Sequence, residues 1–387
     1  MDLIKRKFWL SIHRYIGLWG GVLFVLIGLT GSLLAFRQNI DEYLNSQIMI
    51  VDINADDSDS YKSFDELLNA AIKVIPAGSR PEVIRIPSHK NLALSIGYST
   101  IGHDFYDIFV NPYTAEIVGQ RIRHSTITEL SQPFIYLIRS LHYTFLLGRN
   151  HSEVVGILGV FVLFALIAGF AIWWPNNGNW RKAFSIKYGG SKERFIFDLH
   201  KVFGVFSGVL LIVITLTGIA LIFSSQTQSF VRIFSTVNSQ KKFYSTKVEG
   251  LKTIGIDQSV LIAKQVFNDG NLQTIILPSN ETDVFKIGIR SDDEVNKTFT
   301  KRVVTIEQFT GKVLDVRDPM QFSNGEILIS WLYPIHSGEI FGDFGRVLVS
   351  IIGIMPLVLL VTGMMRWLQK RRARKLKDRA KFSCYLH

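Results

Sequence analysis

The chain has 387 residues, a formal net charge of +11 and 48% hydrophobic residues. A single cysteine, Cys384, excludes an intrachain disulfide, and the lack of a C-x-x-C-H excludes ordinary covalent c-type heme attachment. No G-x-G-x-x-G follows a strand, so the common dinucleotide fingerprint is absent as well.

Charge-free runs occupy 15–36, 154–174, 202–223 and 347–365. Each supplies the roughly 20 apolar residues that cross a bilayer core of about 30 Å, so four membrane helices are predicted. The first run is too long for the apolar region of a signal peptide and ends in "AFRQNI" without a small-x-small cleavage site, which predicts an anchor. Bases cluster before the first run (Lys5, Arg6, Lys7, Arg14), between the second and third (Arg181, Lys182, Lys187, Lys192, Arg194) and from Lys370 to Lys381. The positive-inside rule places all three clusters, and both termini, on the cytoplasmic side.

The expected order is a first membrane helix (1–37), an extracytoplasmic domain (38–132), an interfacial segment with the second helix (133–175), and a basic cytoplasmic loop (176–196). A third helix (197–224), a second extracytoplasmic domain (225–330), an interfacial segment with the fourth helix (331–369) and a basic tail (370–387) follow. In the first outer segment, "SFDELLNAAIKVI" puts Phe64, Leu67, Leu68 and Ala71 on one helical face, ahead of the strand-like "VIRIP", "LALSIGY" and "DIFVNP". In the second, "DQSVLIAKQVF" precedes "TIILP", "VFKIGIR" and "RVVTIEQ". Both predict small α+β modules without catalytic features; Asp104/Asp107 and Asp292/Asp293/Glu294 offer cation ligands, with solvated loop acids the favoured reading.

The chain repeats itself. "HRYIGLWGGVLFVLIGLTGSLLAF" from His13 returns as "HKVFGVFSGVLLIVITLTGIALIF" from His200, at an offset of 187. "LHYTFLLGRNHSEVVGILG" from Leu141 returns as "IHSGEIFGDFGRVLVSIIG" from Ile335, so that His142 matches His336 at an offset of 194. Two crossings per copy orient both copies alike, related by an axis along the membrane normal. His13 and His200 then share one depth, and His142 and His336 another.

Imidazole suits zinc, copper and heme iron. Zinc takes three or four protein ligands, whereas a bis-imidazole heme takes two, one on each face. Paired histidines at matched depth therefore favour two b-type hemes, held by His13/His200 and by His142/His336. The alternative for each is a hydrogen-bonded interfacial histidine. Gly17, Gly21, Gly204 and Gly208 lie on the same helical faces as His13 and His200 and leave room for a flat macrocycle, or simply pack helices. Arg14 and Lys201 could meet propionates of one heme, and Arg139, Arg149 and Arg346 those of the other, with snorkelling toward lipid phosphates the alternative. Tyr136, Tyr143, Trp331 and Tyr333 fall near the outer pair, where an interfacial aromatic belt is the alternative.

At these phrases, together with "DIFVNPYTAEIVGQ", the chain resembles the PepSY-associated transmembrane family over almost its whole length. The resemblance implies a bacterial inner-membrane, di-heme protein of the ferric-siderophore reductase or iron-uptake type, with His13, His142, His200 and His336 as axial ligands. It leaves the pairing open; the repeat supplies it. The expected fold is an integral membrane protein with an all-α four-helix core from a tandem repeat of two helix pairs and two small α+β, PepSY-like outer domains. The expected activity is oxidoreduction: electrons from a quinol or a cytoplasmic reductase reach a periplasmic ferric siderophore, with the bilayer as the other partner and no nucleic acid. A permease for the iron chelate and a PepSY-type sensor or protease regulator are the competing classes.

Overall fold

The computed structural model describes residues 3–53, 60–125, 132–148, 150–175, 178–238, 241–247 and 250–384. Its main helices are α1 (Leu3–Trp19), α2 (Gly21–Leu34), α3 (Phe64–Ile72), α4 (Phe134–Thr144), α5 (Ser152–Trp173), α6 (Lys192–Ile222), α7 (Ile256–Val266), α8 (Asn324–Ser337) and α9 (Gly342–Cys384). The strands are β1 (Arg80–Arg85), β2 (Leu94–Ser99), β3 (Phe105–Val110), β4 (Ile117–His124), β5 (Asn271–Ile276), β6 (Val284–Arg290), β7 (Arg302–Glu307) and β8 (Val313–Arg317). The chain divides into a helical unit (1–36, 138–227 and 335–387) and a sheet unit (37–137 and 228–334).

In the helical unit, α5, α6 and the helix that includes α9 are each long and apolar enough to cross a membrane. The first predicted span differs from expectation. It is a pair, α1 and α2, bent by 62°. The bend falls at Gly20-Gly21, where no side chain props the helix straight. Helix α1 packs on α5, α5 on α6, α6 on α9 and α9 on α2. The last contact is close because Gly28 and Gly353 face each other; there Ser32 Oγ donates to the Ser350 carbonyl (2.7 Å) and Ser350 Oγ to the Ser32 carbonyl (3.0 Å).

The sheet unit joins what the sequence presents as two modules. One antiparallel sheet of eight strands runs β4-β3-β2-β1-β5-β6-β7-β8. Strands β1 and β5, each of which would be an exposed edge in a separate module, pair through Val83/Ile276, Ile84/Ile275 and Arg85/Thr274. Ile84 pairs outward with Ile96 and Ile275 with Ile287, so positions correspond at an offset of 191 across the seam. Alternation sends Ile84, Ile96, Ile108, Ile275, Ile287 and Ile306 to one face, where Leu67 and Ala71 of α3 and Val260 and Ala263 of α7 complete a single core. Each fully buried aliphatic side chain there contributes about 1.5–3 kcal/mol.

The two helix starts also share their caps. Asp257 Oδ1 and Oδ2 accept from the backbone N–H groups of Phe64 and Asp65, at 2.8 and 3.1 Å. Asp65 returns the arrangement to Ile256 and Asp257, at 3.0 and 3.2 Å. Carboxylates satisfy orphan amides and meet the positive helix ends.

Candidate functional site

Helix α1 carries His13 and α6 carries His200, with ring centroids 6.0 Å apart. His142, near the end of α4, and His336, near the end of α8, have centroids 6.3 Å apart. All four belong to the helical unit and are half-buried. Among the described residues no group of three or more His, Cys, Asp or Glu is gathered for a metal ion, so the histidines come in twos.

Each ring is held by its Nδ1. The Nδ1–H of His13 donates to the Ala165 carbonyl at 2.8 Å. That of His142 is directed at the Ile27 carbonyl and Thr30 Oγ1, both 3.0 Å. His336 repeats this with the Ile214 carbonyl (2.9 Å) and Thr217 Oγ1 (3.2 Å), so Pro334, accommodated within α8, leaves the ring's contacts intact. His200 donates to Thr362 Oγ1 at 2.9 Å, whose own proton goes to the Val358 carbonyl at 2.7 Å. Because carbonyl oxygens only accept, these bonds fix the proton on Nδ1 and leave the Nε2 lone pair free. Metal-binding histidines are typically oriented this way.

Every ring also lies against a glycine. A Cβ on Gly169 would sit 3.2 Å from His13 Cε1, one on Gly363 3.2 Å from His200, one on Gly31 3.0 Å from His142, and one on Gly218 2.9 Å from His336. The rings fill places that a side chain would take.

A cavity of about 1080 Å³ adjoins the first pair. Aliphatic side chains, Trp173 and Trp367 line its walls, while Arg6, Lys7, Arg14, Arg366, Lys370, Arg371 and Arg374 give it a cationic lining. Arg366 Nε is buried with no hydrogen-bond partner.

A family model for the PepSY-associated TM region matches residues 10–370. The chain belongs to that family. No curated protein matches it. Membership, with the long apolar helices, makes it a membrane protein of the PepSY-associated type with α+β parts.

In this PepSY-associated protein the predicted glycines fall into two sets. Gly17, Gly21 and Gly204 line the cavity beside His13 and His200. Gly17 has nothing within 4 Å of where a Cβ would be, whereas Gly21 is covered by Leu360. Gly208 faces Phe170 instead, at 2.8 Å from a Cβ position, and acts in helix packing. The bases divide too. Arg14 lines the cavity and stacks over Tyr15. Lys201 lines it as well, but its Nζ donates to the carbonyls of Lys182 and Ser185 and to Asp198, at 2.8, 3.0 and 2.9 Å. All three donors are used, which makes Lys201 an anchor of the basic loop rather than a propionate contact. Arg139 is exposed on α4, three residues before His142. Arg346 donates to the Ala35 carbonyl at 2.7 Å and to Asp343 at 2.9 Å, and Arg149 lies outside the described residues.

Of the four aromatic residues expected near the outer pair, Tyr136 and Tyr333 belong to the sheet unit, Tyr136 against Asp107 and Tyr333 against Phe299. Sequence reasoning missed the threonines that orient His142, His200 and His336, the four contact glycines and Arg366. Thr30-Gly31 and Thr217-Gly218 were visible as recurring pairs; their meaning emerges only when another helix brings a ring against them.

Proposed function

We propose that this protein is a transmembrane di-heme b-type oxidoreductase of the bacterial inner membrane that reduces a ferric siderophore or related Fe(III) chelate on the extracytoplasmic side. The single observation that carries the reading is the pair of histidine pairs, each ring anchored through Nδ1 with Nε2 free. With ring centroids 6.0 and 6.3 Å apart, the two imidazoles of each pair are close enough that both would ligate one metal ion. The residues fit a heme in kind as well. The cavity beside His13 and His200 is walled by apolar groups and glycines, and its cations, with the unpartnered Arg366 Nε, suit propionates.

His13 and His200 would hold one heme and His142 and His336 the other. Bound there, bis-imidazole hemes supply reversible one-electron chemistry near each end of the helices. The chain's own residues prepare these sites: the Ala165, Ile27 and Ile214 carbonyls and Thr362 fix the tautomers, the contact glycines admit the rings, and the apolar helices exclude water. We read the matched contacts of the two halves as a tandem duplication forming a four-helix core, with both termini cytoplasmic. The duplication would give each cofactor one histidine from each half. Ferrous iron is held more weakly by hard oxygen donors, so one-electron reduction releases it from the chelate. The electron comes from a separate donor, of the quinol or cytoplasmic-reductase class.

The test uses dithionite-reduced protein, freed of excess reductant and mixed with a ferric chelate in the presence of a colorimetric ferrous trap. Ferrous iron should appear with the wild type and not with His142→Ala or His336→Ala. Equal rates in the wild type and both variants would overturn the reading.

A further inference from the structure

The sheet face opposite α3 and α7 carries a charged cluster. Asp107 on β3 is only 2% exposed. Arg85, on β1, spans β2 to reach it and donates from Nη1 to Asp107 Oδ1 at 3.1 Å. That reach passes over Gly97, where a Cβ would sit 3.2 Å from Arg85 Nη1. Arg121 on β4 makes a two-pronged pair with Asp41, at 2.7 and 2.8 Å. Tyr136 donates its hydroxyl to Asp107 at 3.4 Å and carries Arg121 and Arg123 over its ring, at 5.5 and 5.8 Å.

Among the described residues, charge does not balance in this cluster. Arg121 is matched by Asp41 and Arg85 by Asp107, which leaves Arg123, whose Nη1 comes no closer than 3.9 Å to Asp107. The Arg85 and Arg123 side chains are 31% and 33% exposed, so neither is sealed inside the sheet unit. Arg85 is held below the usual arginine range by burial and by the charge of Arg123, as expected of cations waiting for an anion.

The fold does not require this set. Gly288 pairs Val303 as Gly97 pairs Asp107, so Val303 stands in the other half of the sheet where the cluster has its carboxylate. Ile276 stands there in place of Arg85. Only Arg317, which pairs Val303 as Arg121 pairs Asp107, keeps its type. A charged cluster present in one half and replaced by aliphatic residues in the other points to a ligand rather than to packing.

We propose that Arg85 and Arg123 form a binding site for the carboxylate oxygens of an anionic ferric chelate, on the rigid platform of Tyr136 and Asp107. Planar guanidinium groups match carboxylates through two parallel N–H···O bonds. This assignment rests on the reductase reading and narrows it to carboxylate chelates over cationic hydroxamates.

The probe is gallium(III) citrate, a redox-inert stand-in, titrated against the purified full-length protein. The wild type should bind it. Arg123→Gln should weaken binding about tenfold or more, the loss expected for one charge-assisted hydrogen bond. Arg85→Lys should weaken it also, while Arg317→Gln should leave it unchanged. The Arg123 side chain is about one-third exposed, and an unchanged thermal transition shows that its variant is folded. Equal affinity of wild type and Arg123→Gln, or no binding by the wild type, would overturn the site. Metal-free citrate binding as tightly as gallium citrate would overturn the assignment to a chelate. The reductase reading fails separately: gallium citrate bound by a protein that takes up no heme would keep this site and remove that function.

Discussion

Gly363 abuts the imidazole of His200, so close that a Cβ there would be 3.2 Å from Cε1. The same relation recurs at Gly169, Gly31 and Gly218, each against one of the other three rings. A larger side chain there must displace the ring. Gly363→Val or Gly169→Val should cost the heme at His13/His200, taking heme from about two per chain to about one. Heme quantification on the purified variants checks this.

The pairing makes a sharper prediction. His13→Ala and His200→Ala should remove the same heme, and the double variant should lose no more than either single. His142→Ala and His336→Ala should together remove the other. Loss of one common heme in His13→Ala and His142→Ala would contradict the pairing drawn from the 6.0 and 6.3 Å separations.

The four membrane runs, the order of strands and helices, and the four histidines were legible because each rests on a local signal: an apolar run, an alternation, a repeated phrase. Joining of the two modules was not legible, since the β1–β5 seam depends on two ordinary edges meeting. The 62° bend was hidden because Gly20-Gly21 reads equally well as helix packing. Asp107 misled in the opposite direction. As one acid in a short polar stretch it suggested solvent, but strand register turns it onto a face shared with three arginines.

The shared caps at Asp65 and Asp257 should be among the main polar contributions to stability in the sheet unit. Asp65→Ala and Asp257→Ala should each cost about 0.5–2 kcal/mol, the usual loss for a capping side chain, and the Asn variants distinctly less. Thermal unfolding of the four variants measures the difference.

Glu294 gives a pH dependence of known sign. Burial raises its carboxyl above the ordinary range, opposed by the Lys301 backbone N–H and by nearby cations, and Glu294 Oε2 has no hydrogen-bond partner. The folded state therefore holds this proton more tightly than the unfolded chain. Its contribution is fully present below the unfolded pKa and lost as pH rises through the raised one. Glu294→Gln should raise the melting temperature relative to wild type at about pH 8 and lose that advantage near pH 4.

The central claim is that each histidine pair holds one heme. A reduced-minus-oxidised visible spectrum of the purified protein, with heme quantified per chain, tests it most directly. The account predicts about two low-spin b-type hemes, the state two imidazole ligands impose. A colourless protein that also fails to take up added heme would contradict it.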